Sequence, residues 1–140
     1  MEVQKTQNLN LKPQNYGSKP KSLLQERSYS FSIQIIRFLE TLRSDFSSQI
    51  ISKQLLRSAT SVGAYIIEAK ANSSRKDFAN FFNHALKSSN ESEYWLSLLR
   101  DSKKADVGLV EKSLGENRSL SRILGSSLLT LRGKNQTLRS

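Results

Sequence analysis

From residue 22 onward, apolar residues recur at spacings of three, four and seven and show no strand-like alternation, which predicts helices. No proline follows Pro20. A first helix is expected from about Ser22, a capping residue, to Arg43, with Leu24, Phe31, Ile35, Phe38 and Leu42 on one stripe. A second, from about Ser47 to Ala71, turns Ile51, Leu55, Ala59, Val62, Ile66 and Ala69 inward. Gly63 lies in its middle, where glycine costs about 1 kcal/mol against alanine. Close approach of a neighbouring helix or a kink would account for it. Asn72-Ser73-Ser74 punctuates the chain, and Ser74 with Asp77 resembles a capping box, Asp replacing the usual Glu.

The third helix, from about Arg75 to Lys103, carries a heptad-like seam of Phe78, Phe82, Ala85, Ser89, Ser92, Leu96 and Leu99. Asp106 to Gly108 forms a turn. A fourth helix follows from about Leu109 to Leu131, with Val110, Leu114, Ser121, Leu124, Leu128 and Leu131 on one side and Gly115 and Gly125 interrupting it. Four helices with short connections predict an all-α fold, an antiparallel up-down four-helix bundle, over residues 22–132. Residues 1–21 read as a flexible basic arm, in which Lys5, Lys12, Lys19 and Lys21 oppose Glu2. Residues 133–140 read as a frayed tail.

Composition narrows the function. With no cysteine, the chain has no disulfide framework, thiolate metal site or cysteine nucleophile. The lone histidine, His84, has Phe81 three positions before it, so the Glu-x-x-His pairing of carboxylate-bridged iron bundles is missing. It reads as a surface or interface residue. No glycine-rich phosphate loop occurs, and nothing marks a partner for a serine triad. No catalytic residue, metal site, cofactor or small-molecule substrate is expected. No segment has the apolar length of a membrane span or a signal-peptide core, so a soluble cytoplasmic protein is expected.

The third helix has a second face that its seam leaves unexplained. Phe81, His84, Lys87, Glu91, Tyr94, Trp95 and Leu98 lie mostly away from the seam, where a lone amphipathic helix would be polar. On the second helix, Arg57, Ser61 and Glu68 gather opposite the inward stripe, with Tyr65 at the edge. Contact with both bundle neighbours would explain this arc. A subunit interface would too, since Trp, Tyr and Arg are favoured anchors. Stacking of nucleic-acid bases on Tyr94 and Trp95 is a third reading, which Glu91 and Glu93 oppose.

Three segments, in this order, carry a resemblance: SYSFSIQIIRFLETL in the first helix, QLLRSATSVGAYIIEA from Gln54 to Ala69, and DFANFFNHALKSSNESEYWLSLL from Asp77 to Leu99. Over about residues 25–103 the chain resembles the 23S rRNA intervening-sequence proteins. Gln54, Arg57, Ser58, Ser61, Glu68, Phe78, Glu91, Tyr94, Trp95 and Leu96 match that family's pattern. The resemblance implies a compact four-helix bundle assembled into a cyclic homopentamer. It also implies kinship with accessory proteins of diversity-generating retroelements, basic pentamers that bind a reverse transcriptase and RNA. Tyr65 stands where the family usually has Asn, so any hydrogen bond that Asn makes must be replaced here.

The resemblance strengthens the interface reading for Arg57, Ser61, Tyr65, Glu68, Glu91, Tyr94 and Trp95. Arg57 and Glu68 are three turns apart and cannot pair with each other. Pairing across an interface is expected instead, for example with Glu91 or Arg57 of a neighbouring copy.

Charge supplies the second expectation. Lys and Arg number 22 against 12 Asp and Glu, a formal +10, which favours polyanions. Candidate phosphate contacts are Lys53 with Arg57, Arg100 with Lys103 and Lys104, and Arg118 with Arg122. A pentamer would carry about +50, adding weak contacts by multivalency. The expected function is non-catalytic binding of RNA or DNA, salt-sensitive and without sequence preference. A protein-interaction scaffold, such as an accessory subunit for a reverse transcriptase, is the alternative.

Overall fold

The computed structural model describes residues 22–72 and 74–139. The expected basic arm, residues 1–21, lies outside them. Four helices make up the described chain: α1 (Leu23–Leu39), α2 (Phe46–Ala71), α3 (Arg75–Asp101) and α4 (Val107–Arg139). The fold is all-α, and no strand occurs among the described residues.

Each helix starts on a side chain that accepts one of its orphan N–H groups. Ser22 Oγ accepts from Gln25 at 3.1 Å, Asp45 Oδ1 from Ser48 at 2.9 Å, Ser74 Oγ from Asp77 at 3.3 Å, and Asp106 Oδ2 from Leu109 at 3.0 Å. Asp45, expected only to break the first helix, starts the second. The first helix ends at Leu39, earlier than the expected Arg43, and Thr41 Oγ1 donates to the Phe38 carbonyl at 2.6 Å beyond it. The fourth extends well past the expected Leu131, to Arg139, so residues 133–139 continue α4.

The α3–α4 turn is sharp. Lys103 takes a left-handed φ of 60°. Its N–H donates to the Arg100 carbonyl at 3.1 Å, and the Lys104 N–H donates to Leu99 at 2.9 Å. This is a Schellman motif with lysine where glycine is usual.

Cross-helix pairs fix the directions. On α2 and α3, Ser58 meets Ser92 while Tyr65 meets His84. On α3 and α4, Ser89 meets Asn117 while Arg100 meets Glu111. On α1 and α4, Arg27 meets Glu116 while Gln34 meets Ser113. All three helix pairs are therefore antiparallel. α1 also packs on α2, which places α2 and α4 on opposite corners.

The core forms two apolar clusters. One joins Phe31, Ile35, Phe38, Leu55, Ala59, Leu96, Leu99, Val110, Leu114 and Leu120, so all four helices contribute. The other joins Val62, Ile66, Ala69, Phe82, Ala85, Leu124 and Leu128, from α2, α3 and α4 only. Buried Ser28, Ser58, Ser89, Ser92 and Asn117 add polar groups to the interior. The expected stripes hold on α2 and α3 and, as far as Phe38, on α1, whose expected Leu42 lies past the helix end. On α4, Asn117 and Leu120 are buried and Ser121 lies at the margin.

Gly63 marks close approach. A Cβ there would stand 3.3 Å from Ser28 Oγ on α1. Gly115 and Gly125 face open space, with nothing within 4 Å of where a Cβ would stand, and α4 runs through both.

Candidate functional site

Small residues bring α2 and α3 together. The Ser58 and Ser92 hydroxyls share a hydrogen bond of 2.8 Å. Beside that buried contact, the outer edges of both helices form one face. Glu91 is its hub. Its Oε2 accepts from the Arg57 guanidinium and, at 2.9 Å, from Trp95 Nε1. Arg57 Nη2 also donates to Gln54 Oε1 at 3.0 Å. The Tyr94 ring meets Trp95 edge-on with centroids 5.0 Å apart, while Tyr94 stays 58% exposed.

Arg57 thus has its glutamate within the same chain, where pairing with a neighbouring copy was expected, because antiparallel packing sets positions 57 and 91 at one height. Ser61 Oγ donates to the Arg57 carbonyl at 2.7 Å, a bond within α2. Tyr65 turns to α3, with ring centroids 5.2 Å from His84 and 6.4 Å from Phe81. It fills the position of the family's usual Asn with aromatic packing. The Glu68 side chain is exposed, and its carboxylate forms no ion pair among the described residues.

Two residues extend this face beyond what the sequence singled out. Phe46 is 78% exposed and Ile50 47%. They stand at helical spacing of four before Gln54, so they share its side of α2. The signal was available as that spacing. It was hidden because Ile51, the neighbouring apolar residue, fits the inward stripe.

The candidate phosphate contacts divide. Besides Arg57, Arg118 pairs with Glu93 at 3.3 Å, Lys104 with Asp45 at 3.1 Å, and Arg100 with Asp101 at 2.8 Å and Glu111 at 2.7 Å. Lys53, Lys103 and Arg122 are exposed and have no ion pair among the described residues. The three groups are not gathered into one site. Lys53 and Arg57 lie on α2, Arg100, Lys103 and Lys104 around the α3–α4 turn, and Arg118 and Arg122 on α4.

The turn's ion pairs shift its titrating groups. Asp101, then Glu111, hold the Arg100 guanidinium above its ordinary value, and Arg100 lowers Asp101. Asp45 is lowered to about 2, first by the Ser48 backbone N–H and then by the Lys104 ammonium, both within hydrogen-bond distance of its carboxylate.

Among the described residues, no group of three or more His, Cys, Asp or Glu is placed to hold a metal ion. No described helix is long and apolar enough to cross a membrane.

No curated protein matches the chain. Among solved structures, it is similar to a protein of unknown function from the S23 ribosomal protein family of Bacteroides thetaiotaomicron VPI-5482. The TM-score is 0.69 at 36% identity, over 76% of this chain and 98% of that one. The family described as 23S rRNA-intervening sequence protein matches residues 21–126, reaching well into α4 and past the three segments that carry the resemblance. Arg57, Glu91, Tyr94 and Trp95, joined here around one carboxylate, lie inside that match, and the chain belongs to the 23S rRNA-intervening sequence protein family.

Proposed function

We propose that the protein is a non-catalytic, self-associating bundle that binds RNA or DNA in the cytoplasm through its basic surface. The observation that carries this reading is the excess of cations, a formal +10, with exposed Lys53, Lys103 and Arg122 free of carboxylate partners among the described residues. Such cations meet phosphates without breaking an existing pair. Arg57, Arg100, Lys104 and Arg118 must first exchange a carboxylate for a phosphate, so they contribute less.

The α2–α3 face serves assembly in this reading. Phe46, Ile50 and Tyr94 supply apolar and aromatic anchor area around the Arg57–Glu91–Trp95 cluster. A cyclic homo-oligomer, a pentamer by family resemblance, repeats each weak phosphate contact around a ring. The same exposed aromatics favour a second reading, in which the face docks another protein, such as a reverse transcriptase.

Anisotropy of a labelled structured RNA, titrated at several salt concentrations with bulk DNA as competitor, tests the first reading. Steep loss of affinity with salt, further weakened by Lys53→Glu and Arg122→Glu with assembly retained, supports it. Absence of binding at low salt rejects it. A protein partner whose capture survives nuclease treatment and fails in Tyr94→Ala supports the second.

A further inference from the structure

α1 and α4 leave a groove of about 390 Å³ between them. That lies within the roughly 300–1,000 Å³ of small-ligand clefts. Phe38 and Leu109 give it apolar walls, and Lys112 and Arg37 line it with positive charge. Gln34 and Ser113 add an amide and a hydroxyl, with Nε2 and Oγ 3.5 Å apart.

One turn further along both helices, Arg27 grips Glu116 through bonds of 3.0 to 3.2 Å and also donates to Ser119 at 2.8 Å. That knot bounds the groove at one end and engages the Glu116 carboxylate. The other α4 carboxylates nearby are engaged too. Asp106 caps the helix, and Glu111 accepts from Arg100. Among the described residues, no carboxylate lines the groove, and the Lys112 ammonium stands in its wall.

We propose that this groove binds a single nucleotide unit, with its ring against Phe38 and Leu109 and its phosphate at Lys112. The apolar walls call for an apolar body, the Lys112 ammonium for an anion, and the amide and hydroxyl suit the polar edge of a base. The chain's own first 21 residues are a poor occupant, because four lysines face one glutamate there. A second copy is assigned to the α2–α3 face in the proposed assembly, on the side of the bundle opposite α1 and α4. The ligand is a free mononucleotide or one nucleotide of a single strand. The inference deepens the nucleic-acid reading and rests on it for the strand as source.

Calorimetric titration of the full chain with adenosine or uridine monophosphate tests it. Adenosine alone, inorganic phosphate alone and a single-stranded RNA oligomer are the comparison ligands. Monophosphate binding should be at least about tenfold tighter than nucleoside or phosphate alone, the effect of one charged hydrogen bond or more. Lys112→Glu and Leu109→Trp should each weaken it by at least about tenfold, the first by charge and the second by filling the groove. Both positions are exposed, and circular dichroism confirms that each variant folds. Lys87→Glu, on the outer side of α3, should leave binding unchanged.

Tighter oligomer binding lost in the same groove variants identifies a strand as the source. Binding of the monophosphate alone identifies a free nucleotide, and removes the surface reading while keeping the groove. RNA binding that survives both groove variants but fails in Lys53→Glu and Arg122→Glu overturns the groove and keeps the surface reading. Binding of neither monophosphate nor oligomer overturns the inference.

Discussion

Asn117 of α4 and Ser89 of α3 hold each other by three bonds in the buried interior. Asn117 Nδ2 donates to the Ser89 carbonyl at 2.9 Å, and Ser89 Oγ donates to Asn117 Oδ1 at 2.8 Å and to the Asn117 carbonyl at 3.3 Å. None of these bonds survives a shift of one helix along the other, so the pair fixes the α3–α4 register.

Removing the Asn117 amide removes two of the three bonds. Asn117→Ala should cost about 2–3 kcal/mol in urea unfolding, from those lost bonds and the space left behind, while the Ser89 hydroxyl keeps its bond to the backbone carbonyl of position 117. A double-mutant cycle with Ser89→Ala should show coupling of about 1 kcal/mol or more. Additive losses would mean that the two side chains act independently.

Two glycines should respond with opposite signs. Gly115 faces open space, so Gly115→Ala should stabilise the protein by about 1 kcal/mol through helix propensity. At Gly63 even a Cβ comes within 3.3 Å of Ser28 Oγ. Gly63→Val should destabilise by about 1–3 kcal/mol by forcing α1 away. Thermal unfolding of both variants checks the pair.

Lys103 bears the backbone strain of the α3–α4 turn. A left-handed φ of 60° costs a side chain about 1 kcal/mol that glycine avoids. Lys103→Gly should raise stability by roughly 0.5–1 kcal/mol. If Lys103 touches phosphate, the same variant should weaken RNA binding, so opposite movement in the two measurements separates shape from charge.

Acid should loosen the end where α2 begins. Asp45 has a folded pKa of about 2, below its ordinary 3.8, so it binds protons more readily when unfolded. Its stabilising effect is present in full above the ordinary value and is lost as pH falls from about 5 toward 2. Asp45→Asn keeps a good cap and removes the titration. Its melting temperature should therefore vary less over that range than that of the native chain.

The pattern of inward residues on α1, α2 and α3 was legible because each position obeys helical spacing. Leu55, Ala59, Val62 and Ile66 on α2 are all buried as expected. On α4 the pattern pointed to Ser121 and missed Asn117 and Leu120, because an amide is buried only where a partner waits, and Ser89 is distant in sequence. Glycines misled similarly. Gly115 and Gly125 suggested weakness, yet a propensity cost of about 1 kcal/mol each is small beside the packing of a long helix. At the candidate site, the sequence marked Arg57, Glu91, Tyr94 and Trp95. Their union around one carboxylate was not readable, because which residues share a height depends on the α2–α3 turn.

The second apolar cluster has no buried contribution from α1, which begins at Leu23. That end has the partly buried Leu24 packed against it from α1, and α1 covers it far less than it covers the other. Its backbone amides should trade hydrogen for deuterium sooner than those around Leu55, Leu96 and Leu114, since local opening there exposes less apolar surface. The molecule thus carries an internal gauge. Anything that binds across that end should slow that exchange selectively, while a ligand on the opposite half should leave it ticking at its own rate.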